Sequence, residues 1–176
     1  MGTGSGARSD DGGGALLLTP AGCARLRERL QKARAAYLAV CADNESAAGA
    51  GDTSVWHDNF AYEENQRQMH QWAAQVREIE SQLARVRVVS VSAELPSVLG
   101  LGQRARLRFE DGSEVVWMLA GDGDGEPAAG RISLASSLGR TLAGVRSGET
   151  REIRRGGRVQ SVEVIELFGA PEEELR

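Results

Sequence analysis

Aromatic side chains are scarce: three Trp, two Tyr and three Phe in 176 residues. One large core needs more bulky apolar surface than that, so the composition points to an elongated body carrying a small domain. Cysteine is nearly absent as well. Cys23 and Cys41 are the only two, and on one helix their spacing would separate them by about 27 Å along the axis, beyond the reach of a disulfide. They read as small apolar residues in a reducing cytoplasm. No apolar run reaches membrane-spanning length, and the N-terminus lacks the basic-then-apolar order of a signal peptide. Cytoplasm is the expected compartment, with no membrane partner. Lys32 is the only lysine, and Arg carries the remaining positive side-chain charge. A net charge of −4 argues against a general nucleic-acid binder.

What the chain does contain is pattern. Residues 1–14 are rich in Gly, Ser and Asp, cannot bury a core, and are expected to form a disordered leader. Thr19-Pro20 then marks a helix start, Thr as N-cap and Pro at the first helical position. Cys23, Leu26, Leu30, Ala33, Tyr37 and Val40 recur at alternating spacings of three and four, a heptad seam that Asn44 continues. Ser46 to Gly51 ends that helix. A second seam runs through Tyr62, Asn65, Met69, Trp72, Val76, Ile79, Leu83 and Val86.

Folded back on itself, the chain pairs the two seams in one antiparallel register. Cys23 meets Val86, Leu26 meets Leu83, Leu30 meets Ile79, Ala33 meets Val76, Tyr37 meets Trp72, Val40 meets Met69 and Asn44 meets Asn65. The Asn pair has two readings, a polar register-fixing contact or a wet hairpin end. The reading is a coiled-coil hairpin over 15–89, about 45 Å long, with its tip at 50–58.

The second half reads as strands. Val88 to Ser92 is rich in β-branched Val and suggests a strand, and 90–96 serves as a linker ending at Pro96. Residues 101–109 alternate, 113–119 are more apolar, and Asp111-Gly112 between them signals a hairpin turn. Gly121 to Gly130 reads as a loop. Ser136 to Leu142 suggests a short helix with Ser136 as N-cap. Arg151 to Arg154 and Arg158 to Leu167 read as two further strands, and 169–176 as a charged tail. The expected fold class is α+β: the hairpin, then a small antiparallel β domain with one helix over 97–168.

Several stretches, in order, resemble the Gre transcript cleavage factors of bacteria, the GreA/GreB family. LTPAGCARLRERL resembles the family opening. Gly51-Asp52 with Asp58-Asn59-Phe60-Ala61-Tyr62 resembles its tip motif, and Arg77 to Ala84 its second-helix motif. Ile132 to Gly148 resembles "IS-x-x-SPLG-x-ALLG-x-x-x-G", and Arg154 to Leu167 the closing strand pair. The resemblance covers about residues 16 to 168. It implies an FKBP-like C-terminal domain that docks at the rim of the RNA polymerase secondary channel, with Ser136, Leu138, Gly139 and Arg140 in the docking segment. The hairpin would enter the channel, and two tip acids, Asp52 and Asp58, would help hold a Mg²⁺ shared with the polymerase and activate a water. Cleavage of backtracked RNA would be the polymerase's own chemistry. No stand-alone activity and no cofactor bound by the chain alone are expected, and the nascent RNA 3′ end would be reached only indirectly. A monomer is expected.

The tip departs from the family pattern, which sets the acids three residues apart. Asp52 and Asp58 are six apart, and the second is Asp rather than Glu. Two outcomes stay open: a cleaving tip of altered geometry, or a homologue that occupies the channel and modulates transcription without cleavage. Trp56 offers a stacking surface or a contact that steadies the tip. His57 offers a ligand or acid/base partner, or an exposed tip residue, and Asn59 completes the tip contacts. Arg25, Arg27, Arg29, Lys32 and Arg34 load the first helix with positive charge, either toward RNA or acidic channel walls or as a solvated face. Asp122 to Glu126 lacks the closing glutamate of a calcium loop and reads as a flexible acidic loop. An FKBP-like fold raises prolyl isomerase activity, but Phe109, Trp117 and Phe168 are too few to line such a pocket and read as core.

Overall fold

The computed structural model describes residues 14–49, 59–155 and 157–175. Helix α1 (Pro20–Gly49) and helix α2 (Asn59–Ala84) form the hairpin. Thr19 caps α1: its Oγ1 accepts a hydrogen bond from the Gly22 amide at 3.0 Å, satisfying one of the orphan donors of the first turn. Cys23, Leu26, Ala33 and Ile79 are buried with Leu18, and Leu30, Trp72, Val76, Leu83 and Val86 pack against them. These are residues of the two expected seams. Arg34 reaches across to Glu80 at 2.5 Å, an exposed pair of small energetic weight. Cys23 and Cys41 are free thiols. The Tyr37 hydroxyl is hydrogen-bonded with Cys41 one turn on, which is the main cause that raises its pKa above the ordinary phenol value. The Asn44 side chain lies outside the described residues, so the Asn pair does too; Asn65 is half-buried.

Two short strands flank the hairpin base. Strand β1 (Leu16–Leu18) and strand β2 (Val86–Val88) pair in parallel, Leu16 opposite Val86 and Leu18 opposite Val88. The expected strand over Val88 to Ser92 is thus displaced toward the helix. Val86 belongs both to the end of the seam and to β2, because the helix passes directly into the strand. Beyond it, Val89 still donates to Leu18 O at 2.8 Å.

The second half is a five-stranded sheet in the order β5-β4-β3-β7-β6. Strand β3 (Arg104–Phe109) turns into β4 (Glu114–Ala120) through Asp111-Gly112, where Gly112 takes φ 79°. Strand β5 (Arg131–Ser133) was not evident in the sequence and pairs in parallel with β4, so the sheet is mixed rather than wholly antiparallel. Helix α3 (Ser137–Leu142) follows, then β6 (Thr150–Arg155) and β7 (Arg158–Phe168), paired antiparallel to each other, with β7 also antiparallel to β3. Ala105, Leu107 and Phe109 of β3 alternate inward onto Leu119, Ile153, Val162, Val164, Leu142 and Val145, the period-two burial of a sheet with one covered face. Trp117 meets Phe109 edge to face at 5.8 Å. Phe168 is not core: Arg104 and Arg106 both stack over its ring, each at 5.6 Å.

The end of β4 is covered on both faces. Leu119 points into the sheet core, while Met118, on the opposite face, is also buried. Met118 borders a cavity of about 220 Å³ beside Pro171, Glu173, Glu174 and Arg25, so the second cover comes from the hairpin base and the C-terminal segment. The greater apolarity of this strand follows from that second cover. The segment after β7 is not a solvated tail. Ala170 is buried and its amide donates to Ser92 O at 2.8 Å, and Glu172–Glu174 form a 3-10 turn in which Glu174 is only 1% exposed.

Candidate functional site

Helix α1 ends at Gly49 and α2 begins at Asn59. Asp52, Trp56, His57 and Asp58, the proposed tip acids and tip contacts, lie outside the described residues. Asn59 opens α2, and its side chain lies outside them as well.

The basic face of α1 is described, and the structure corrects the first reading of it. Arg25 is not free for RNA or channel walls. Its Nε and NH2 donate to the two oxygens of Asp124 at 2.8 and 2.5 Å, and its NH1 meets Glu174 Oε1 at 2.8 Å. The fork matches the carboxylate bidentately, the strongest form of such a pair. The hydrogen bond to Asp124 raises the Arg25 pKa above its ordinary value; burial opposes that rise, and Glu174 reinforces it. Arg29 donates to the Gly123 carbonyl at 2.9 Å. Lys32 pairs with Glu28 on its own helix at 2.7 Å and is well exposed. It keeps the freedom to meet an acidic or phosphate surface. Together with Glu126 and Arg131, these side chains line a polar cleft of about 520 Å³ between α1 and the loop after β4.

The same contacts correct the acidic loop. Asp124 has a side chain only 8% exposed, and a buried carboxylate needs such a partner. Gly22 makes room for it: a Cβ there would lie 2.9 Å from Asp124 Oδ2. Gly121 passes so close to β1 that a Cβ would fall 2.1 Å from Leu17 O. The loop is the sheet's seat for the hairpin base.

In the expected docking segment, Ser136 caps α3. Its hydroxyl accepts from Gly139 N at 2.9 Å and donates to Ser133 O at 2.7 Å. Gly139 is buried where a Cβ would sit 2.0 Å from Ser133 O, so its identity follows from packing. Leu138 packs against the sheet core. Arg140 is exposed and donates to Ala135 O. Of these residues, Arg140 offers the outward charged side chain.

Glu174, Thr19 and Asp124 were missed as a group. The Thr19 hydroxyl donates to Glu174 while also capping α1. Pro171 followed by three glutamates is a helix-start pattern, with a fixed φ and acids in the first turn; that signal was present in the tail.

The fold and these contacts define an α+β protein that holds a long helical hairpin at a fixed seat on a small mixed sheet. A family model for the C-terminal part of GreA/GreB transcription elongation factors matches residues 95–167. Transcription elongation factor GreA of Caulobacter vibrioides is 30% identical over 152 residues, covering 85% of this chain and 95% of the relative. That of Bradyrhizobium diazoefficiens is 27% identical over 152 residues with the same coverage. The crystal structure of GreA factor homolog 1 from Thermus thermophilus is 20% identical, covering 88% of this chain and 99% of that one, with a TM-score of 0.41. The chain belongs to the GreA/GreB family of transcription elongation factors. Among the described residues, no helix is long and apolar enough to cross a membrane.

Proposed function

We propose that this chain docks on RNA polymerase through its β domain, places the hairpin in the secondary channel and stimulates cleavage of backtracked RNA. The observation that carries the reading is similarity to GreA over 95% of the relative's length, in a chain whose first half is a hairpin stem with a 30-residue first helix. Such a helix reaches about 45 Å, and a factor that works at a distance from its docking surface needs that reach. The exposed edge of α3 with Arg140, together with the exposed Lys32, supplies charged contacts for docking and for the channel.

Asp52 and Asp58 act as the tip acids. Their donor chemistry fits Mg²⁺, which takes carboxylate oxygens as ligands and keeps several waters; in a two-metal site such an ion stabilises attacking and leaving oxygens together. The two carboxylates would hold the ion within the polymerase's own site, where it would supply charge stabilisation for the reacting oxygens, so the chain is an accessory factor without activity alone. It acts as a cytoplasmic monomer and meets the nascent RNA 3′ end only through the polymerase.

A second reading is favoured by one observation: Asp52 and Asp58 stand six residues apart, with Trp56 and His57 between them. A tip so spaced would occupy the channel and slow transcription without cleavage. One assay separates the two: RNA cleavage in a backtracked elongation complex of the host polymerase, comparing wild type with Asp52→Ala and Asp58→Ala at fixed Mg²⁺. Cleavage abolished by either substitution with binding intact is the expected result. Binding with slowed nucleotide addition and no cleavage by the wild type would replace the first reading with the second.

A further inference from the structure

We propose that the C-terminal segment Pro171–Leu175 is a clasp that fixes the direction of the hairpin relative to the sheet, with Glu174 as its positioning residue. Of three consecutive glutamates, Glu172 and Glu173 face solvent, whereas Glu174 is 1% exposed. An acid is buried this far only when it is paired, and both partners of Glu174 belong to the start of α1. The Thr19 hydroxyl donates to Oε2, and Arg25 NH1 meets Oε1 at 2.8 Å. The rest of the Arg25 fork is held by Asp124 from the loop after β4. One guanidinium therefore ties together three separate parts of the chain: the hairpin base, the sheet and the C-terminal segment.

Arg25 holds Glu174 and Asp124, and four residues on, about 6 Å further along the α1 axis, Arg29 holds the Gly123 carbonyl at 2.9 Å. Two grips at different heights on one helix resist its tilting, where a single contact would act as a pivot. The clasp is anchored on the sheet side as well. Ala170 is buried, and a Cβ at Gly169 would lie 2.0 Å from Ala93 O, so the segment is pinned against the chain between β2 and β3 before it turns toward α1. The match to the family model ends at residue 167, short of Glu174.

The consequence is mechanical. From Arg25 to the end of α1 the helix extends roughly 36 Å, so a tilt of about 10° at the base displaces the far end by about 6 Å. Chemistry at a tip is sensitive to displacements of about 1 Å. Side chains at the end of the sequence thus set where the middle of the sequence is delivered.

The test uses the full chain, spin-labelled at Leu38→Cys on α1 and Val159→Cys on β7, both exposed in the wild type, with Cys41→Ala and the buried Cys23 retained. Pulsed electron resonance between the labels is expected to give one narrow distance distribution. Glu174→Gln and Asp124→Asn are each expected to broaden or shift it. Val164→Ala, which weakens the sheet core without touching the clasp, should lower stability and leave the distribution unchanged. An unchanged distribution in both clasp variants, or an equal broadening in Val164→Ala, would overturn the proposal.

The functional half rests on the proposed action on polymerase. There, Glu174→Gln is expected to lower the maximal cleavage rate about tenfold with the apparent affinity for polymerase kept. Equal rates would sink the positioning role in catalysis. If the wild type itself neither binds nor acts, the functional reading fails, and the distance measurement still decides the clasp.

Discussion

Ser137 occupies the first helical position of α3, where the family pattern carries proline. The site suits proline well. The amide of a first helical residue has no partner within the helix, and the preceding residue, Ser136, already has φ −71° and ψ 155°, the extended conformation a following proline demands. The Ser137 carbonyl still accepts from Thr141 Oγ1 at 3.0 Å, a bond that proline would keep. Ser137→Pro is therefore expected to raise stability by about 0.4–1 kcal/mol, chiefly by restricting the unfolded chain. A urea denaturation series reads this directly, and a fall in midpoint would mean that the α3 turn is not held as described. Ser136 and Gly139 carry the turn's hydrogen bonding, so the exchange at Ser137 leaves it intact.

At the scale of elements, the hairpin was legible because a heptad seam predicts its own partner. Once two seams with opposite direction are written down, a single register places Leu26 against Leu83 and Ala33 against Val76, and these residues are the ones buried together. Ala33 is 2% exposed, so the helices approach closely there. Ala33→Leu is expected to destabilise the stem by about 1–3 kcal/mol through overpacking, seen as an earlier thermal transition in far-ultraviolet circular dichroism. No change would mean that the stem is open at that level. Strands β3, β4, β6 and β7 were legible for a similar reason, since alternation and the Asp-Gly turn are local signals. Strands β1 and β5 were not, and β2 was read only as the displaced run Val88 to Ser92. Each has three residues, too few for a period to show, and each pairs in parallel with a strand that is not joined to it by a tight turn, which leaves no hairpin signal. The tip acids Asp52 and Asp58 were legible through motif resemblance alone, since a short acidic loop has no period of its own.

For the whole molecule, the residues that join its halves were the least legible. Arg25 and Asp124 are 99 positions apart, and charges on a helix face, in a Gly-rich loop or in a Glu-rich tail each look solvated when read alone. Only the fold shows that they neutralise one another. The hairpin base is thus ordered from outside the hairpin: the loop after β4 backs β1, and Asp124 and Glu174 hold Arg25. A fragment of residues 14–89 would keep the seam and lose these supports. In hydrogen exchange it is expected to show faster amide exchange over residues 19–30 than the full chain, with the stretch 69–79 of α2 less affected, because among the described residues the buried charge pairs sit at the base. Uniform loss of protection along both helices would mean that the stem has no stability of its own and that the sheet supports it throughout. Retained protection at 19–30 would mean that the seam suffices there, and the clasp would then govern direction alone. The expected outcome fits a hairpin whose seam is narrow, whose aromatic content is low and whose base, buried at Leu18, Cys23 and Leu26, lies where the loop after β4 and the C-terminal segment meet α1.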